Sequence, residues 1–110
     1  MQDAEASPGP GTPADASAMA ALELPEGLEL VRVTDRFDAR TVPAGLLRAH
    51  RVAAGVWGEL CVLEGEVGFV FEASGARRVV RAGGNQVIPP AEPHHVEPSD
   101  GASFEVRFHR

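Results

Sequence analysis

Four histidines are the side chains of this sequence best suited to binding a metal ion or transferring a proton. One of them, His94, directly follows a turn that contains Pro89, Pro90 and Pro93. Because proline fixes φ, such a turn leaves little freedom in where the next side chain starts. A preorganised imidazole is what a ligand position requires. We therefore expect His94 to be a ligand in a binding site.

The residue inventory limits what else the protein can do chemically. The chain has no Lys and no Tyr, which excludes Schiff-base chemistry, a lysine base and tyrosine acid catalysis. The single Cys61 cannot form an internal disulfide, which fits a reducing compartment. It lies in an apolar run, where a small buried thiol is the usual interpretation. Whether the protein is an enzyme, and which residues would then be catalytic, stays open.

Length and charge indicate one domain without a polyanion-binding surface. A chain of 110 residues is too short for two domains. The net charge of -6 is concentrated in residues 1–24, which hold four acidic residues and no basic one. The rest of the chain sets ten arginines against twelve acidic residues, so it offers no basic footprint. We expect no nucleic-acid partner.

The chain divides near residue 23. Residues 1–23 are dominated by Ala, Pro, Gly, Ser and Asp, and we predict a disordered leader because little apolar surface is available to offset the entropy of ordering. Residues 16–22 favour at most a marginal helical turn. The acidic start differs from a secretory signal, and no apolar run reaches membrane-spanning length. We expect a soluble, cytoplasmic protein without a membrane partner.

Residues 24–110 have the pattern of an all-β domain. In residues 103–108, Phe104, Val106 and Phe108 alternate with polar residues and should share one strand face. Short Gly- and Pro-containing segments separate the β-like runs, as in a sandwich or barrel with almost no helix. The other predicted runs are residues 28–33, 41–52, 56–63, 67–71, 77–81 and 86–88, with His94 opening a further strand.

Residues 82–94 resemble the second cupin motif, in which Gly and an acid precede a strand, Pro-Pro-Gly makes a turn and a metal-binding His follows. Asn85 and Ala91 stand here in place of the usual Asp and Gly. With residues 41–47, 55–58, 62–65, 93–97 and 104–108, the chain is similar to the TehB/YeaR-like domain, a small cupin family associated with tellurite resistance. The resemblance implies one small cupin (double-stranded β-helix, or jelly-roll) barrel over residues 24–110.

The first cupin motif is less complete. It normally supplies two His and a Glu, and the Glu position corresponds to Gly58 here. Glu59 is one residue out of phase, which turns its side chain to the opposite face of a strand. The resemblance makes His50 the ligand from the early part of the barrel. The alternative for His50, an exposed loop histidine, stays about as favoured.

A divalent transition metal bound by His50 and His94 needs at least a third ligand. Glu97 matches the family's His-x-Val-Glu pattern and is the preferred choice, although a regular strand would turn it away from His94. His95, His109 and water are the other choices, and both of these histidines are more readily interpreted as exposed. Mixed His and carboxylate ligation does not select sharply among Zn, Fe, Ni and Mn.

Two functions from different classes follow. The first is a metal-binding small cupin that takes part in the response to tellurite, other oxyanions or nitrosative stress, with a small molecule or oxyanion as ligand. The second is a metal-free barrel that binds a small molecule without catalysis. Metal-dependent dioxygenase or isomerase chemistry also occurs in cupins, but fold alone does not warrant it. A homodimer is expected for a small barrel of this type.

Overall fold

The computed structural model describes residues 12–110. A five-residue helix, α1 (Ala16–Ala20), precedes the strands. Within these residues, no helix has the length and apolar character needed to cross a membrane. Residues 12–110 contain eight strands, and a 3-10 helix (Ala44–Leu47) follows the second of them. The strands are β1 (Leu30–Val33), β2 (Phe37–Asp38), β3 (Trp57–Glu64), β4 (Glu66–Phe71), β5 (Arg77–Arg81), β6 (Asn85–Ile88), β7 (His94–Pro98) and β8 (Ser103–His109).

The strands form two antiparallel sheets. The larger sheet has the order β1-β8-β3-β6, and β2 pairs with β8 beside β1. The smaller sheet has the order β5-β4-β7. The chain crosses from one sheet to the other several times. For example, β3 and β4 are consecutive in sequence but lie in different sheets. In the described part of the chain the predicted all-β class is confirmed, as two sheets and not as one closed barrel.

Strand alternation places the core between the sheets. Leu60 and Val62 of β3, Phe69 of β4 and Phe104 of β8 are almost completely buried. In β3 the neighbouring residues Glu59 and Cys61 are half-buried, as expected for a strand with one face on the core. The predicted alternation of β8 is confirmed, and Phe37 packs edge-to-face on Phe104 with ring centroids 5.8 Å apart.

The predicted run over residues 41–52 is wrong as a strand. Pro43 begins a 3-10 helix, in which Leu46 N–H donates to the Pro43 carbonyl at 2.9 Å. Only His50 in this stretch makes a β-bridge. Strand β2 was missed because its two residues are too few for a periodic pattern.

The predicted leader falls partly outside the described residues. Residues 1–11 are not among them, and the prediction for that part stays open. From Thr12 onward the chain packs against the sheets, which differs from the predicted disorder. Asp15 caps α1 by accepting from Ala18 N–H at 2.9 Å, and Met19 is 1% exposed within the core. Buried Gln86 donates its Nε2 to the Met19 carbonyl at 2.9 Å.

Candidate functional site

Backbone hydrogen bonds bring His50 and His94 together. The two residues form an antiparallel bridge in which His50 N–H donates to the His94 carbonyl at 3.0 Å and His94 N–H donates back at 2.8 Å. The Pro-rich turn before His94 contains Ala91 at φ 62°, in the left-handed region. Ala91 N–H donates to the Val52 carbonyl at 2.9 Å, so the turn is tied to the His50 segment. The two predicted ligands therefore lie side by side.

The imidazole of His94 is held on several sides. It is 2% exposed, and its ring centroid lies 4.1 Å from that of His50 and 5.0 Å from that of Phe69, on which it stacks. Burial lowers the pKa of His94 to about 4, against the opposing effect of the hydrogen bond to the Glu92 carbonyl. The ring is therefore neutral at pH 7.

The hydrogen bonds at Nδ1 define the role of Nε2 in both rings. Nδ1 of His94 lies 2.8 Å from the Glu92 carbonyl, and Nδ1 of His50 lies 3.4 Å from the Arg48 carbonyl. A carbonyl oxygen only accepts, so each Nδ1 carries the proton and donates. In the neutral ring Nε2 is then an acceptor. Within residues 12–110, neither Nε2 has a protein hydrogen-bond partner.

A cavity of about 130 Å³ lies beside the two rings. Thr34 also lines it, but its Oγ1 already donates to the Asp35 carbonyl and accepts from Val106 N–H. Arg51 lines it as a solvent-exposed residue. The rest of the wall is largely apolar and includes Leu60, Phe69, Val96, Phe104, Val106 and Phe108. The site is an apolar pocket with two imidazoles on its wall.

Gly58, the residue that the resemblance aligned with the Glu of the first cupin motif, lies next to this pocket. A Cβ on Gly58 would be 3.3 Å from Ile88 and 3.4 Å from Val52, and both residues line the cavity. The out-of-phase Glu59 lies instead 3.2 Å from His109 Nε2 and accepts from Asn85 at 2.6 Å. The carboxylate of the motif is therefore not supplied to the pocket by this strand.

Glu97 belongs to a different cluster. On β7, His94 and Val96 face the core, whereas His95 and Glu97 face outward. Glu97 accepts from Arg77 at 2.6 Å and lies 2.9 Å from His95 Nε2. The other ring nitrogen of His95 contacts Glu72. The structure therefore does not bring Glu97 to the His50 and His94 pair, and no bend near Pro98 reverses the strand alternation.

The two remaining histidines also lie away from the pair. His95 is held by the carboxylates of Glu72 and Glu97, and His109 by Glu59, on the outer faces of the sheets. Cys61 lies on the outer face of β3, and burial raises the pKa of its thiol to about 11. A thiolate is the form that binds metals, so this thiol is poorly suited to that role.

The donor set falls short of a resident metal site. Two imidazoles with free Nε2 atoms and anchored Nδ1 atoms have the orientation that metal ligands require. Divalent metal sites nevertheless take at least three protein ligands. Among residues 12–110 no group of three His, Cys, Asp or Glu side chains is arranged to hold an ion. The described residues therefore do not by themselves fit a tightly held metal.

Phe69 and the cavity itself are the features that sequence reasoning missed. The apolar run of residues 67–71 predicts a strand, and Phe69 is its central residue. Its contact with His94 depends on the pairing of β4 with β7, in which Phe69 lies opposite Val96 and Phe71 opposite His94. Sequence alone does not specify that register.

Comparisons with known proteins agree with this architecture. A protein from Escherichia coli strain K12 is 26% identical, with a TM-score of 0.76 over 81% of this chain and 96% of that one. TehB from Haemophilus influenzae is 23% identical, with a TM-score of 0.68 over 74% of this chain and 31% of that one, a likeness of fold. No curated protein matches the sequence. The model of the TehB-like domain matches residues 32–106, and the chain belongs to that family.

Proposed function

We propose that this protein is a binding module that holds one small, largely apolar molecule in the pocket of His50 and His94. The observation that carries the proposal is a buried imidazole, that of His94, whose Nε2 has no protein partner in the described part of the chain. Buried polar atoms are nearly always hydrogen-bonded, so such an atom calls for a ligand or an ordered water.

The dimensions of the pocket support a small occupant. Its volume of about 130 Å³ is close to that of an apolar cavity of about 150 Å³ that binds benzene in another protein. Pockets that bind small molecules combine an apolar wall with a few polar groups that fix orientation, as this one does. No nucleophile or general acid-base pair is needed for binding, and the proposal includes no catalytic step.

Benzene is a suitable probe for the pocket itself. We expect titration of benzene into ¹⁵N-labelled protein to shift the amide resonances around Leu60, Phe69 and Val106. The variant Val106→Phe should lose these shifts, because the larger side chain occupies the cavity. Val79→Phe is the matched control, since Val79 is 42% exposed on β5 and lies away from the pocket.

A second variant that fills the cavity provides the same test if Val106→Phe does not fold. Val52→Phe also reduces the cavity and should abolish the benzene shifts in a protein that keeps a dispersed amide spectrum. Absence of any benzene shift in the wild-type protein would overturn the proposed function. Equal shifts in the wild-type protein and in folded Val52→Phe would show that benzene binds outside the cavity, and this result would also overturn the proposed function.

A divalent transition metal is the second candidate, favoured by one observation. Both Nδ1 atoms face backbone carbonyls, which leaves both Nε2 lone pairs available for Zn, Fe, Ni or Mn. A metal here would need ligands from solvent or from a bound molecule to complete its coordination. Glu97, the predicted third ligand, would have to leave Arg77 and the outer sheet face to take part.

Metal analysis of protein purified without a His tag tests this candidate. Stoichiometric metal in the wild-type protein, lost in both His50→Ala and His94→Ala and kept in His109→Ala, would establish it over the metal-free pocket. Metal content that is unchanged in the first two variants would remove these histidines as ligands. Loss of metal in Glu97→Ala would restore Glu97 as the third ligand.

We also propose that the protein is a small cupin jelly-roll with a role in the stress response. Two facing antiparallel sheets and a Pro-rich turn before His94 support a small cupin jelly-roll. Membership of the TehB-like family, which is associated with tellurite resistance, supports a role in the response to oxyanion or nitrosative stress. A single unpaired cysteine suits a cytoplasmic location.

A further inference from the structure

We propose that the ligand of the His50 and His94 pocket is a neutral molecule with an apolar body and one hydroxyl group that donates a hydrogen bond to an imidazole Nε2, and that the pocket excludes oxyanions. This inference rests on the proposed function and narrows it to one class of ligand.

The polar atoms offered by the pocket are acceptors. Each Nδ1 donates to a backbone carbonyl, at 2.8 Å for His94 and 3.4 Å for His50, which leaves the lone pair of the neutral imidazole form at Nε2. The Thr34 hydroxyl proton is already used on the Asp35 carbonyl. An occupant gains a hydrogen bond only if it brings the donor itself. A hydroxyl group does so, whereas a carboxylate has no donor and meets two lone pairs.

The remaining wall opposes a charged occupant. Phe69 stacks on His94, and Phe104 and Val106 face the same space, so an anion would lose its hydration without recovering equivalent contacts. Oxyanion sites in proteins use N–H donors or cations. Arg51 is the cation among the lining residues, but it is exposed to solvent, where its charge is screened.

The volume limits the size of the apolar body. A space of about 130 Å³ accommodates a single six-membered ring with one small substituent. Phenol and toluene therefore form a matched pair of probes, because they differ only in a hydroxyl group against a methyl group of similar size. Toluene is the more apolar of the two, so the hydrogen bond is measured by how far the ratio of their affinities changes when an imidazole is removed.

We would measure the dissociation constants of phenol, toluene and sodium selenite by NMR titration, following the amide and imidazole resonances of His50 and His94. A net hydrogen bond contributes about 0.5–1.5 kcal/mol, so the ratio of phenol to toluene affinity should be about twofold to twelvefold higher in the wild-type protein than in a variant that lacks the acceptor. Selenite should leave the imidazole resonances unchanged and should not compete with phenol.

The variants His94→Phe and His50→Phe replace an acceptor by a ring of similar shape. We expect the ratio of phenol to toluene affinity to fall by this factor in at least one of them while toluene binding is kept. His109→Phe, whose ring contacts Glu59 outside the pocket, is the control and should keep the wild-type ratio. Retained toluene binding shows that the variant has folded and that its pocket is intact.

The outcomes separate this inference from the proposed function. If the ratio of phenol to toluene affinity is the same in the wild-type protein and in both histidine variants, the donor requirement is wrong and the pocket stands. If selenite displaces phenol, and Arg51→Gln abolishes that displacement, the ligand is an oxyanion and the inference is overturned. If neither aromatic probe binds, the proposed function fails and this inference with it.

Discussion

At the residue scale, the environment of each histidine decides what it can do. His94 is buried against Phe69 and donates from Nδ1, so it presents one acceptor to an apolar space. His95 follows it directly in sequence but faces outward, between the carboxylates of Glu72 and Glu97. One step along a strand thus separates an acceptor in a pocket from a partner in an ion pair.

The left-handed residue in the Pro-rich turn gives a first prediction. Ala91 has φ 62°, a conformation that costs an L-residue with a Cβ about 1–2 kcal/mol. Ala91→Gly should raise the free energy of unfolding by about 0.5–1 kcal/mol after the entropy of glycine is included. Urea denaturation measures this, and Ala53→Gly, an exposed position at negative φ, should show no gain. Destabilisation by Ala91→Gly would contradict this account of the turn.

The cluster of His95, Glu72, Glu97 and Arg77 on the outer sheet face predicts how the free energy of unfolding depends on pH. Partial burial opposes protonation of His95, but hydrogen bonds to Glu72 and Glu97 outweigh it and raise the pKa of His95 above its usual 6.5. Stabilisation by this cluster is therefore fully present below pH 6.5 and is lost as pH rises through the raised pKa. His95 and Arg77 also lower the pKa of Glu97 below 4.5, so stability falls again in acid.

Urea denaturation between pH 4 and 9 measures this dependence. The loss of stability above pH 6.5 should be smaller in His95→Gln than in the wild-type protein, because glutamine does not titrate. His109→Gln serves as a comparison at another histidine beside a carboxylate. Identical pH profiles for wild-type protein and His95→Gln would show that the cluster does not contribute.

The residues of the site were predictable to different degrees. His94 could be identified because three prolines precede it, and a proline-rich turn leaves a signal in the sequence itself. His50 could not be identified from its neighbours, because its position depends on a backbone bridge to a residue 44 positions away. Glu97 was predicted as a ligand because it matches the family's His-x-Val-Glu pattern, although strand alternation already indicated that it faces away from His94.

At the scale of elements, the longer strands were predicted well, whereas the two-residue strand β2 and the 3-10 helix were not. β3, β4 and β8 each have six or more residues, and they are where the sequence indicates strands. The 3-10 helix at Ala44–Leu47 was mistaken for part of a strand because its leucines follow Val42 in an apolar run. That helix forms part of the pocket through Leu46.

The edge strand β1 bears on the predicted homodimer. Leu30, Val31 and Val33 are between 43% and 52% exposed, and β1 is an outer strand of the larger sheet in residues 12–110. An exposed apolar edge pairs readily with another strand. If two copies align antiparallel with Leu30 opposite Val31, Glu29 lies opposite Arg32 at both ends of the contact.

Light scattering measures this association. Wild-type protein should be a dimer, and Val31→Lys should be a monomer because a charge is placed on the shared edge. Val79→Lys, at an apolar residue of similar exposure on β5, should leave the dimer intact. A monomeric wild-type protein would contradict the prediction, as would a dimer that survives Val31→Lys and dissociates in Val79→Lys.

At the scale of the whole molecule, the segment before β1 completes the core. Met19 lies in the buried cluster with Leu60, Phe69 and Phe104, and Gln86 holds its backbone carbonyl. Composition predicted disorder here because Ala, Pro and Gly offer little apolar surface on average. Average composition does not detect a single methionine that packs on residues far away in the sequence.

Truncation of that methionine should be costly. Met19→Ala removes a side chain that is 1% exposed, and loss of a buried methionine typically lowers the free energy of unfolding by about 2–5 kcal/mol. Ser17→Ala, at an exposed position of the same helix, should change it by less than about 0.5 kcal/mol. Equal urea midpoints for Met19→Ala and wild-type protein would show that α1 does not pack on the core.

The central claim is that two imidazoles and an apolar wall form one ligand site. A crystal structure of the protein grown with phenol tests it most directly. The account predicts density for one ring in the cavity between His94, Phe104 and Val106, with the hydroxyl oxygen within hydrogen-bond distance of Nε2 of His50 or His94. A cavity closed by collapsed side chains, or a metal ion held by His50, His94 and Glu97, would contradict it.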